Sequence, residues 1–260
     1  MRASAPLAFV HRYLAVSPLQ RAALAVGAAV AALADPARGD CVALLGEATG
    51  ARALARLRDG MRGSADGAWV LAHRPLIAGA RFTPAALAAA HAPGTLGGAY
   101  GAFLAAHGFA ADERARVALV ADAELAYVLT RYRQVHDFWH VLAGLPPTVL
   151  GEVALKWFEA AHLRLPAAVL AAAAGPARLT ARDAAALRAD LVPWALRAAA
   201  RARPLLAARY ELLLDAPLAD ARAALGFEPA PEKYAETYAE ARAALGVQPA
   251  PERDAAAAAP

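Results

Sequence analysis

ELAYVLTRYRQVHDFWHVLAGLPPTVLGEVALKWFEAAHL, Glu124 to Leu163, decides the fold. Glu124 to Ala143 reads as one long helix. Gly144-Leu145-Pro146-Pro147 breaks it, because proline neither donates a backbone hydrogen bond nor continues a helix. Thr148 to Leu163 forms the next helix, which Leu165-Pro166 closes. Two helices joined by so short a break make a helical hairpin.

Outward from the hairpin, helix follows helix. Ser17-Pro18 starts one, with serine as N-cap and proline in the first turn, and it ends before Asp35-Pro36. Leu45 to Arg62 reads as an amphipathic helix, with Leu45, Leu54, Leu57 and Met61 on its apolar face. Further helices are expected over Pro84–His91, Gly97–His107, Ala181–Ala202 and Leu205–Leu214. Alternating β-branched patterns are absent. The expectation is an all-α, single-domain helical bundle. It divides into an N-terminal segment over 1–16, a helical domain over 17–226 and a tail over 227–260. The tail carries a duplication, ARAALGFEPAPE at Ala221–Glu232 against ARAALGVQPAPE at Ala241–Glu252, before a low-complexity end. Two copies are too few for a solenoid.

Composition narrows the function. The chain has 260 residues and is 59% apolar, but 80 of its residues are alanine, so the apolar content does not mark a membrane protein. The longest early apolar run, Ala22–Ala34, has 13 residues, whereas a spanning helix needs about 20. That run and Pro166–Pro176 read as buried or interfacial helices, and attachment to a membrane is expected to be peripheral. The first 21 residues are acid-free and basic, loosely as in a mitochondrial transit peptide, and do not match a secretory signal. The net charge of +4 comes from scattered arginines with no dense basic block, so nucleic acid is not an expected partner. Cys41 is the single cysteine, which excludes internal disulfides and CxxC metal sites.

One constellation carries chemistry: His136, Asp137, His140 and Glu152. Residues four apart share a helix face, so both imidazoles leave the long helix together. Asp137 lies about 100° round the helix and flanks that face. Glu152 stands one turn into the next helix, where the hairpin folds it back toward the histidines. Two nitrogens and two oxygens suit a divalent ion such as Zn²⁺, Mn²⁺, Co²⁺ or Fe²⁺. The same spacing arises on helices that simply bury histidines. It is not the zincin pattern, because no glutamate follows His136, nor the fuller ligand set of the HD phosphohydrolases. No second site is evident from His91, His107 and His162, and no residue is assigned a catalytic or organic-cofactor role. Arg131 or Arg133 could meet a substrate carboxylate bidentately or belong to a solvated face. Lys156, one of only two lysines in an arginine-rich chain, is for that reason a slightly better functional candidate. Trp157 and Phe158 read as core.

Arg131 to Pro166 resembles the coenzyme Q biosynthesis protein 4 family. Its motif of His-Asp, two residues, His, eleven residues, Glu is matched by His136-Asp137, His140 and Glu152. Leu150-Gly151-Glu152, Lys156-Trp157-Phe158-Glu159, Ser17-Pro18-Leu19-Gln20, Leu45-Gly46-Glu47-Ala48-Thr49-Gly50, Pro93-Gly94-Thr95-Leu96-Gly97 and Glu124-Leu125-Ala126-Tyr127 extend the likeness over about residues 12–226. Phe138-Trp139 is bulkier than usual between the ligands, and Ala121 stands where the family usually has an acid. The resemblance implies ubiquinone biosynthesis by metal-dependent C1 decarboxylation, with hydroxylation, of a polyprenyl-hydroxybenzoate. It implies a divalent metal, usually given as zinc. It also implies self-association, a complex with other quinone-biosynthesis enzymes, and a place on the matrix face of the mitochondrial inner membrane, or on the cytoplasmic membrane face in a bacterium. The alternative is a lipid-binding scaffold whose metal is structural. The alanine-rich segments 22–34 and 167–174 are candidate walls for a prenyl tail.

Overall fold

The computed structural model describes residues 8–34 and 38–235. The second copy of the duplication and the low-complexity end lie outside the described residues, as does Asp35-Pro36. The helices are α1 (Pro18–Ala34), α2 (Gly39–Thr49), α3 (Ala51–Arg62), α4 (Ala65–His73), α5 (Pro84–Ala90), α6 (Leu96–His107), α7 (Ala123–Ala143), α8 (Val149–Leu163), α9 (Pro166–Ala174), α10 (Ala181–Ala186), α11 (Val192–Arg201) and α12 (Leu218–Leu225). Among the described residues there is no strand, only one isolated bridge between Thr95 and Pro217. The all-α expectation is met.

Three helix expectations change. Leu45–Arg62 is two helices, because the chain turns at Gly50, where a side chain would lie 2.5 Å from the Gly46 carbonyl oxygen. Ala181–Ala202 is interrupted by a π turn over Leu187–Leu191. Leu205–Leu214 holds two short 3-10 turns instead of an α-helix. Arg209, between them, lays its guanidinium over the Trp69 ring at 3.8 Å from the centroid, a tertiary contact that outweighs local leucine propensity. The packed chain also runs past residue 226. Phe227 and Ala230 are buried, the Ala230 N–H donates to the Ala143 carbonyl, and Tyr234 donates to Asp190. The first copy of the duplication is therefore part of the body.

Helix α7 is the axis. Asp122 caps it, accepting from the Glu124 and Leu125 N–H groups, and Gly144 ends it at φ 75°, a conformation suited to glycine. It is buried on every face, so its polar side chains must find partners inside the protein. Phe138 is sandwiched between Tyr100 and Tyr210, with ring centroids 4.0 and 5.0 Å away, and Trp139 donates its indole N–H to the Tyr210 hydroxyl at 2.8 Å. Fully burying side chains of this size contributes roughly 2–3 kcal/mol each. The bulky Phe138-Trp139 pair thus fixes the rotation of α7 about its axis, which aims His136 and His140 toward α8.

A smaller core lies apart. Ala28, Cys41 and Leu45 are its buried members, packed with Ala167 and Leu170 of α9. The outer side of α1 leaves Leu19, Val26, Val30 and Leu33 exposed. Between α1 and α2 runs a groove of about 550 Å³ lined by Val16, Leu24, Gly27 and Leu44.

Candidate metal centre

The hairpin turn sets the site. Thr148 caps α8 by accepting from the Gly151 N–H at 3.2 Å. A side chain at Gly151 would lie 2.0 Å from the Pro146 carbonyl oxygen, so glycine is required where the chain doubles back. Glu152 follows at once and faces α7. Its carboxylate reaches His140 Nε2 at 3.1 Å and His136 Nε2 at 3.5 Å. The two imidazole centroids are 4.9 Å apart. One ligand atom from each of His136, His140 and Glu152 lies within 4.8 Å of the others.

The far side of each ring is held. The Leu145 carbonyl takes the Nδ1 proton of His140 at 3.0 Å, and Phe103 stacks on that ring. Glu159 Oε1 takes the Nδ1 proton of His136 at 2.6 Å. These bonds hold a proton on each Nδ1 and leave each Nε2 facing Glu152, where a bound ion would take the place of an Nε2 proton. A carbonyl or carboxylate behind a histidine is the usual support of a metal ligand. Glu159 also accepts from Tyr132 at 2.5 Å and Lys156 at 2.7 Å. Sequence reasoning placed no role on Glu159, although it lies two helical turns beyond Glu152, on the same face.

Charge follows geometry. Burial, then Lys156, disfavour the His136 imidazolium, but Glu159 and Glu152 outweigh them and its pKa stands above the usual 6.5. Burial would raise Glu152, yet His140 and His136 hold it well below the usual carboxylate range. Burial opposes ionisation of Glu159 too, but Lys156 and His136 hold it at about 2. Burial and Glu159 push the Tyr132 phenol up. Lys156 stays charged against its burial because Glu159 faces it.

The fourth expected ligand does not join the cluster. Asp137 pairs with Arg114, from the loop between α6 and α7. The arginines offered for a substrate carboxylate are likewise committed elsewhere. Arg131 is fully buried and forks onto Glu211 at 2.7 and 3.2 Å. Arg133 binds Glu47 and the carbonyls of Ala43 and Ala115. Phe158 is core, as expected, and Trp157 is partly buried against it. His162 caps the Ala199 carbonyl and His91 pairs with Asp215, away from the centre.

Two nitrogens and one carboxylate fit a divalent ion, and three protein ligands leave coordination positions for water or substrate. The site opens on one side. The Glu152 side chain is 38% exposed, while that of His140, which it touches, is 1% exposed.

The family described as coenzyme Q (ubiquinone) biosynthesis protein Coq4 matches residues 11–231. The mitochondrial ubiquinone biosynthesis protein COQ4 homolog of Danio rerio is 45% identical over 221 residues, covering 84% of this chain and 80% of its own. The Homo sapiens homolog is 42% identical over 219 residues, covering 84% of this chain and 82% of its own. A crystal structure of a Nostoc punctiforme protein superposes with a TM-score of 0.63 at 23% identity, covering 79% of this chain and 97% of its own, and shares the fold.

Proposed function

The chain belongs to the Coq4 family of ubiquinone biosynthesis, and from that premise we propose that it is a metal-dependent enzyme removing the C1 carboxylate of a polyprenyl-hydroxybenzoate. The observation that carries this is the convergence of His136, His140 and Glu152 with Nδ1 of each histidine already bonded. Three converging protein ligands leave a coordination position open, whereas a structural ion is closed by four. His136, His140 and Glu152 would hold a divalent ion, which would supply Lewis-acid polarisation and, if redox-active as Fe²⁺ is, O₂ chemistry that Zn²⁺ lacks. The chain's own contribution is positioning. Leu145 and Glu159 fix the two imidazoles, Phe103 walls the pocket beside His140, and the Glu152 edge stays open for the ring. In the oxidative form the bond from C1 to the carboxyl carbon breaks, CO₂ leaves, and an oxygen atom of O₂ takes its place. The second oxygen leaves as water once a two-electron reductant is supplied.

The test is metal analysis of the purified protein, then single turnover of a short-tailed prenyl-hydroxybenzoate in the presence of a two-electron reductant, with and without O₂. CO₂ release with a hydroxylated product formed only under O₂ is the expected result. A metal-loaded protein that binds the compound and never releases CO₂ returns the reading to the scaffold.

The family's relatives named above are mitochondrial by description, and no helix among the described residues is long and apolar enough to cross a membrane. The setting proposed is peripheral, on the matrix face of the inner membrane, alongside other enzymes of the pathway and further copies of this chain. The exposed Leu19, Val26, Val30 and Leu33 of α1 support it, since they spread one apolar stripe outward. Carbonate washing should release the protein from membranes. Release by detergent alone would show an integral mode of attachment.

A further inference from the structure

We propose that Lys156 tunes the metal centre: its ammonium offsets the Glu159 carboxylate behind His136, so that a bound ion meets a weaker donor set and stays a stronger Lewis acid. The inference rests on the metal reading above and gives a role to a residue that reading leaves unused.

The two helices meet as a ladder. Tyr132, His136 and His140 stand four residues apart on α7, and Glu152, Lys156 and Glu159 four and three apart on α8, so each trio shares one face. Glu152 reaches His140 at 3.1 Å and His136 at 3.5 Å. Glu159 divides its two oxygens. Oε1 accepts from His136 Nδ1 at 2.6 Å, while Oε2 accepts from Lys156 at 2.7 Å and from Tyr132 at 2.5 Å. Lys156 also donates to the Tyr132 hydroxyl at 3.4 Å. Its ammonium therefore stands in the α8 row between the carboxylate that faces the ion and the one that supports a ligand.

The chemistry follows from that placement. A carboxylate behind a histidine draws on its Nδ1 proton and makes the ring a stronger donor. The Glu159 side chain is fully buried, so no water weakens that draw; Lys156, itself only 18% exposed, is the cation that does. The Lys156 charge is felt directly by His136 and Glu152 as well. A cation beside two of three ligands repels a dication. It lowers the affinity for the ion and raises the ion's pull on whatever fills the open position. Only two of the chain's 27 basic side chains are lysines, and this position takes one of them. A compact ammonium with three donors suits a contact with two acceptors between packed helices.

The test is a charge cycle read by Co²⁺ calorimetry and by the visible bands of bound Co²⁺. Lys156→Gln keeps a donor and removes the charge; it should bind Co²⁺ at least about tenfold more tightly than wild type. Glu159→Gln keeps an acceptor for His136 and should bind it at least about tenfold more weakly. The double variant E159Q/K156Q should return to within about threefold of wild type, because the two charges leave together. The Co²⁺ bands should shift in Lys156→Gln and return in the double variant. A merely structural lysine predicts weaker binding in all three. Weaker or unchanged binding by a folded Lys156→Gln protein overturns the proposal. If a thermal melt shows that variant unfolded, the comparison of E159Q with E159Q/K156Q carries the same sign, and a double variant that binds no more tightly than E159Q overturns it. A wild type that takes up no Co²⁺ overturns the metal reading with it. The expected order without CO₂ release supports the proposal and counts against the decarboxylase reading alone.

Discussion

His140→Ala is expected to abolish turnover, below about 1% of wild type, and to weaken metal binding by more than about 100-fold. In the proposed centre His140 supplies one of three ligands, and even supporting residues are worth 10–100-fold in affinity. The fold should survive. The variant loses the bond to the Leu145 carbonyl and the stack on Phe103. Losses of that kind cost about 1–3 kcal/mol, against a core in which Trp139, Phe158 and Trp194 stay buried. A thermal melt read beside a zinc titration and a turnover assay separates the outcomes. Unimpaired turnover in a folded, metal-free variant would rule out the metal mechanism. Collapse of the melt together with activity would instead favour a structural ion.

Glu159→Leu is expected to cost more stability than loss of the ligand itself. One carboxylate receives His136, Tyr132 and Lys156, and its removal leaves the Lys156 cation in a site where 18% of the side chain is exposed. Breaking a buried pair from one side costs about 3–5 kcal/mol. Adding Lys156→Met should recover part of that, because the stranded charge then disappears. Metal affinity should drop about 10–100-fold in both, since His136 loses the bond that fixes its proton. The pH dependence has a defined sign. With its pKa held at about 2 against the usual 4.5, the wild-type carboxylate stabilises the metal-free protein fully above 4.5. That contribution is lost as pH falls through 2. Urea unfolding at several pH values measures it, and a cost under about 1 kcal/mol would show the network to be dispensable.

Much of this was legible from local chemistry. Asp122, Gly144, Pro146-Pro147 and Thr148 carry their turn and cap roles within four residues of sequence, so α7 and α8 were found with their ends nearly right. The convergence of His136, His140 and Glu152 followed from a four-residue spacing and one tight turn. What escaped depends on distant partners. Asp137 reads from its spacing as a fourth ligand, and its pairing with Arg114, 23 residues earlier, has no signal in the local sequence. Arg131 and Arg133 read as surface groups until Glu211 and Glu47 arrive from other elements. Helix α4 went unexpected because its nine residues carry little periodic contrast. Glu159 had a signal, an acid two turns beyond Glu152 with Lys156 between, but only burial shows that this trio is a network.

The contact between Glu47 and Arg133 bears on how the protein opens. The core that joins α1, α2 and α9 is built largely from alanine, and small side chains bury little surface, so that unit would separate from the rest at low cost. Glu47 of α2 prevents it. It accepts from Arg133 on the central helix and from the Ala118 and Leu119 N–H groups of the loop that carries Arg114. Peeling α1 and α2 away would leave the Arg133 cation without its carboxylate and two amides without partners around α7. Amide exchange in α2 should therefore proceed at the rate of α7, as one cooperative event, and whatever grips the apolar face of α1 takes hold of α7 with it.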